Sequence, residues 1–123
     1  MAVTVIRTEG CKAEITWKPE DDMQGYLVQS VDNERLAYAL ESLGASQAEL
    51  SEPTKSEEYA LSQASATAYL AQLLERRAAV QVVKLRDHYG MSWRKIAIHL
   101  FDNAEKQSSV RRMYESGRRH IGV

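Results

Sequence analysis

Seven polar side chains near the C-terminus carry the chemistry this sequence offers: Lys106, Gln107, Ser108, Arg111, Arg112, Arg118 and Arg119. They alternate with Val110, Met113, Tyr114, Gly117 and Ile121, whose spacing is that of the buried side of a helix. Such a helix, with Glu115 among its outward residues, presents a polar and mostly cationic face. Guanidinium and ammonium groups suit a polyanion, whose oxygens accept charge-assisted hydrogen bonds. No other constellation competes with this one. His88, His99 and His120 have no ligand-like spacing with one another or with Cys11, so no metal site is expected. Nothing nominates a histidine partner that would activate Cys11 as a nucleophile. There is no glycine-rich phosphate loop and no serine nucleophile elbow. The pairs Asp21-Asp22 and Glu57-Glu58 lie in polar stretches and read as solvated charge. The expectation is a binding protein without a cofactor, not an enzyme.

Charge is divided unevenly along the chain. The 123 residues sum to −1 at neutral pH. Residues 1–60 hold 5 Lys/Arg against 12 Asp/Glu, a balance of −7; residues 61–123 hold 11 against 5, a balance of +6. Asymmetry of this kind points to polyanion binding by the basic half. Length and composition fit one small globular domain with a possible appendage. Apolar runs are too short to span a bilayer, and Met-Ala-Val-Thr-Val-Ile-Arg does not read as a secretion signal. One cysteine excludes an internal disulfide, and a cytoplasmic location is expected.

The rest of the chain must supply the elements that position the basic face. Val3-Thr4-Val5-Ile6, a turn at Gly10, and the alternating Ala13-Glu14-Ile15-Thr16-Trp17 predict a β-hairpin, with residues 25–29 as a candidate third strand. Asp32 is a candidate N-cap for a helix over 33–43 that ends at Gly44 in a left-handed conformation. Residues 45–56 are polar, contain Pro53, and read as a linker with a helical turn available at 46–50. Residues 57–89 lack Gly and Pro. In that span Leu70, Leu74, Ala78, Val82, Leu85 and Tyr89 make one helical face, ended by Gly90 with Met91 packing back. Leu73, Val80 and Val83 widen that face, so the helix is expected to pack on two sides or to dimerise, with Leu70, Leu74 and Val82 as the self-association face.

Ser92 is a good N-cap for a helix from Trp93 onward, with Trp93, Ile96, Ala97 and Leu100 inward and Arg94 and Lys95 outward. Trp93 is therefore expected in the core. Ala97 suits a close helix crossing. Asp102 and Asn103 mark a turn, and a second helix is expected from Ala104 or Glu105, the latter favourable near a helix N-terminus.

Gly-Met-Ser-Trp-Arg-Lys-Ile-Ala-Ile-His-Leu, a turn, then Ser-Ser-Val-Arg-Arg-Met-Tyr resembles the helix-turn-helix of sigma-factor region 4 and related phage and bacterial regulators. The resemblance covers residues 80–121 and is silent on residues 1–60. It implies a second helix lying in the major groove. It carries Lys106, Gln107, Ser108, Arg111 and Arg112 over as base-reading candidates, and Arg94, Lys95, Arg118 and Arg119 as phosphate contacts. Leu100 and Val110 are ten positions apart, longer than in the compact motif, and Phe101 stands where Gly is usual. The turn is thus expected to be extended.

The combined expectation is an α+β, mainly α protein. It has an acidic accessory part over 1–45, a linker over 46–56, and a helical DNA-binding part over 57–123 with the helix-turn-helix at 92–121. The expected function is binding of double-stranded DNA in bacterial or phage transcription regulation. The rivals are a DNA-packaging or recombination accessory, and a protein-interaction module, inhibitor or adaptor, acting through the acidic residues 1–60. Homodimerisation is expected through the 60–89 helix, and membrane contact is not.

Overall fold

A computed structural model describes residues 1–122. It is mainly helical with one small antiparallel sheet. Its contacts separate two units, Met1–Thr67 and Ala68–Val123, and the division falls inside the long helix α4 (Glu57–Val83).

In the first unit, β1 (Thr4–Glu9) and β2 (Lys12–Thr16) form the predicted hairpin, pairing Thr4 with Thr16 and Ile6 with Glu14. A register shift between Arg7 and Glu9 leads into the turn, where Gly10 takes φ 37°. The expected third strand is not there. Residues 25–29 fall instead at the start of helix α1 (Tyr26–Asp32). The cause is Asp22, whose carboxylate accepts from the Leu27 and Val28 amides at 2.9 Å each. Gly25 completes the entry at φ 74°. Two amides without intrahelical partners are thereby satisfied by a charged acceptor, and this outweighs the strand preference of Tyr-Leu-Val.

Helix α2 (Arg35–Gly44) also departs from expectation at both ends. Asp32 is the last residue of α1, and it is the Asn33 side chain that accepts from the Arg35 amide, at 3.0 Å. Gly44 stays helical and the extended Ala45 ends the helix, so no left-handed residue is used there. A short helix α3 (Gln47–Ser51), capped by the Ser46 hydroxyl at 3.2 Å from the Glu49 amide, occupies the expected turn within 46–50. Helix α4 begins with the Ser56 hydroxyl accepting from the Tyr59 amide at 3.2 Å. Its first turns are tied to α2 by an edge-on Tyr38–Tyr59 contact at 5.4 Å, a Tyr59–Glu41 hydrogen bond and a Ser42–Thr67 hydrogen bond of 2.7 Å.

In the second unit, α4 ends in a wide π turn, Lys84–His88. Gly90 follows at φ 65°, and the Met91 amide reaches back to the Leu85 carbonyl at 3.1 Å. That bond spans one residue more than the 6→1 bond of a Schellman motif, because the π turn widens the end of the helix. Helices α5 (Trp93–Phe101) and α6 (Gln107–Ile121) then pack on it. The core is Val82, Ile96, Ala97 and Val110, flanked by Leu85, Met91, Trp93, Met113 and Tyr114. Fully burying a side chain such as Ile96 or Val110 contributes about 1.5–3 kcal/mol.

The apolar stripe expected on the long helix is only partly used. Val82 is buried, but Leu74 and Tyr89 are exposed, and the closest packing is at Ala79, Val82 and Val83. Two local features account for this. Gly117 lets α6 approach at Ala79 and Val83, to one side of the expected stripe, and the π turn breaks the helical spacing before Tyr89. Leu100 and Ile121 were also expected inward, yet they remain 40% and 50% exposed. Leu100 and Phe101 instead line an open groove of about 680 Å³ with Ala78 and Met113. Among the described residues, no helix is long and apolar enough to cross a membrane.

Candidate nucleic-acid interface

Ser92 caps α5 as its sequence suggested, accepting from the Lys95 amide at 3.1 Å. Phe101 stays helical, and Asp102 takes the left-handed conformation at φ 52° that ends the helix. Aspartate tolerates that region better than most residues. The connection from Asp102 to Lys106 spans five residues, against the three or four of a compact helix-turn-helix. The second helix starts later than expected, at Gln107 rather than Ala104 or Glu105. Asn103 is the reason. Its side chain accepts from the Glu105 amide at 2.9 Å and its carbonyl from the Lys106 amide at 3.1 Å, closing a separate turn first. Glu105 therefore sits outside the first helical turn.

Val110 and Gly117 fix the inward side of α6, so Ser108, Arg111, Arg112, Glu115 and Arg119 occupy the opposite side and are all solvent-exposed. Arg111 leans towards α5, its guanidinium carbon 5.5 Å from the Trp93 ring centre. Arg112 leans the other way, 3.4 Å from the Ser109 hydroxyl. Arg118 lies over Tyr114 at 5.8 Å. Lys106 stands at the N-cap of α6, exposed. Gln107 is half-buried and spends one side-chain N–H on the Ala104 carbonyl at 3.2 Å, which withdraws it from the outer face. Arg94 and Lys95 project from the first turn of α5 and are exposed. Eight of the nine candidates are thus accessible, and Gln107 is the exception.

Trp93 is half-buried and packs edge-on against Tyr114 at 5.2 Å. Tyr114 in turn donates to Asp87 at 2.6 Å. That bond raises the Tyr114 pKa above the usual phenol value, because ionisation would place two anions together. Arg86 lies 4.3 Å from the Trp93 ring centre and donates to the Met91 carbonyl at 2.9 Å. Neither Arg86 nor Asp87 stands out in the sequence. Both belong to the π turn, whose register no apolar periodicity reveals. Among the described residues, no group of His, Cys, Asp and Glu is arranged to hold a metal ion.

Comparison of the chain with protein-family models, with curated proteins and with solved structures finds no match.

Proposed function

We propose that the chain binds double-stranded DNA through the outer face of α6, in a regulatory role of bacterial or phage type. The observation that carries this reading is the set of exposed arginines on α6. Arg111, Arg112, Arg118 and Arg119 share one helix with a buried opposite side, and no ion pair among the described residues neutralises them. A rigidly backed cationic helix of this kind suits a major groove flanked by phosphates. Ser108, Arg111 and Arg112, in the first two turns of α6, are the base-reading candidates, with Lys106 at their edge. Arg119 and Arg118 further along, and Arg94 and Lys95 on α5, are the phosphate candidates. The exposed Leu74 and Val80 of α4 leave room for self-association, although Val82, buried in its own unit, takes no part in it.

The first unit, with its balance of −7, is unsuited to phosphate contact and is assigned to a protein partner. A mobility-shift titration on random duplex DNA at low and high salt tests the function. Binding should weaken steeply with salt, by about 0.9 in log–log slope for each phosphate neutralised. The double substitution Arg111→Ala and Arg112→Ala should weaken binding at every salt concentration. A wild-type chain with no salt-sensitive duplex binding would leave the acidic interaction module as the better reading.

A further inference from the structure

The end of α4 lies outside the two helices α5 and α6 of the candidate interface. That end is unusual, because the π turn Lys84–His88 is a conformation rarely adopted and often found at functional sites. It carries Arg86 to the Trp93 ring and Asp87 to the Tyr114 hydroxyl. From α6, Arg111 and Arg118 reach the same two rings, at 5.5 and 5.8 Å. Three guanidinium groups from two helices are thereby gathered round one aromatic pair.

The nearby carboxylate, Asp87, is engaged by Tyr114, and no ion pair among the described residues joins any of the three arginines to an acid. Clustered like charges repel one another. Stacking on the aromatic faces offsets this only in part. Such an arrangement suits an anion.

We propose that Arg86 and Arg118 hold a backbone phosphate, leaving Arg111 beside them to the base edges, so that the DNA contact surface extends beyond the helix-turn-helix to the end of α4. The inference rests on the DNA-binding reading and adds to it a contact from a third helix. The ligand chemistry is a phosphodiester oxygen rather than a base. Trp93 already has two guanidinium groups over its ring and Tyr114 against it, so it offers no free platform for stacking. Asp87 acts as a positioning residue, holding Tyr114 beneath Arg118.

The test is a salt titration of the full chain on two unrelated duplex sequences. Arg86→Ala should weaken binding by roughly tenfold, equally on both sequences, and make the log–log salt slope shallower by about 1. A merely structural role for Arg86 would lower affinity without moving the slope, so an unchanged slope overturns the proposal. Because Arg86 also holds the Met91 carbonyl, Arg118→Ala, whose side chain lies over Tyr114 and not on that carbonyl, provides the second reading if the first variant does not fold. It too should flatten the slope by about 1, and a wild-type slope there has the same adverse meaning. If both slopes stay unchanged while the Arg111/Arg112 double variant loses affinity, the phosphate site is lost and the DNA reading stands. If the wild type itself shows no salt-sensitive binding, the DNA reading fails first.

Discussion

Gly117 of α6 lies against the backbone of Ala79 in α4: a Cβ built on Gly117 would fall 2.2 Å from the Ala79 carbonyl oxygen and 2.8 Å from a Val83 methyl. The oxygen belongs to a helix backbone and cannot rotate away, so the helices would have to separate. Replacing glycine by alanine inside a helix ordinarily gains about 1 kcal/mol from propensity alone. Here Gly117→Ala is expected to destabilise by roughly 1–3 kcal/mol, because overpacking against a fixed neighbour exceeds that gain. Chemical denaturation of the variant measures it. A Gly117→Ala chain at least as stable as wild type would show that the helices do not cross this closely.

Tyr59 provides a prediction for the first unit. Its hydroxyl donates to the Glu41 carboxylate, which pushes the phenol pKa from 10.0 up to about 12. The folded value lies above the unfolded one, so the bond stabilises the fold fully below about pH 10. That contribution fades as pH rises through 12. In an absorbance titration of the six tyrosines, Tyr59 and Tyr114 should ionise later than the usual phenol range. Glu41→Gln should bring Tyr59 back towards 10, and Tyr59→Phe should remove one late transition. Six tyrosines titrating together near 10 in the wild type would mean the Tyr59–Glu41 bond does not form in solution.

How far the sequence reveals these features depends on the distance over which each acts. The Ser92 cap was legible because its acceptor bond spans three residues, and so was the inward set Ile96, Ala97, Val110 and Gly117, which follows one helical period. The α1 helix was not, because Asp22 reaches amides five and six residues away across a glycine, beyond any capping pattern. Periodicity names the apolar side of a helix but not how much of it a partner covers. Leu74, Leu100 and Ile121 are apolar in the expected phase and still exposed. Within the candidate interface, the exposed arginines of α6 were legible as a face. Arg86 was not, because it depends on a π turn that shifts the helical register.

Glu115 lies in the middle of that face, between Arg111 and Arg119 at one helical turn on either side. No ion pair joins it to either of them. If α6 faces the duplex, this carboxylate sits near phosphates and repels them, partly cancelling the arginines around it. Glu115→Gln keeps the size and removes the charge. It should therefore bind random duplex DNA a few-fold more tightly at low salt, with the advantage shrinking as salt screens the interaction. The alternative role for a carboxylate here is to accept from a cytosine amino group, which would make the same variant weaker on a selected sequence while still tighter on a random one. The two effects separate when both duplexes are titrated side by side. Unchanged affinity on both would place Glu115, and with it the outer face of α6, away from the DNA.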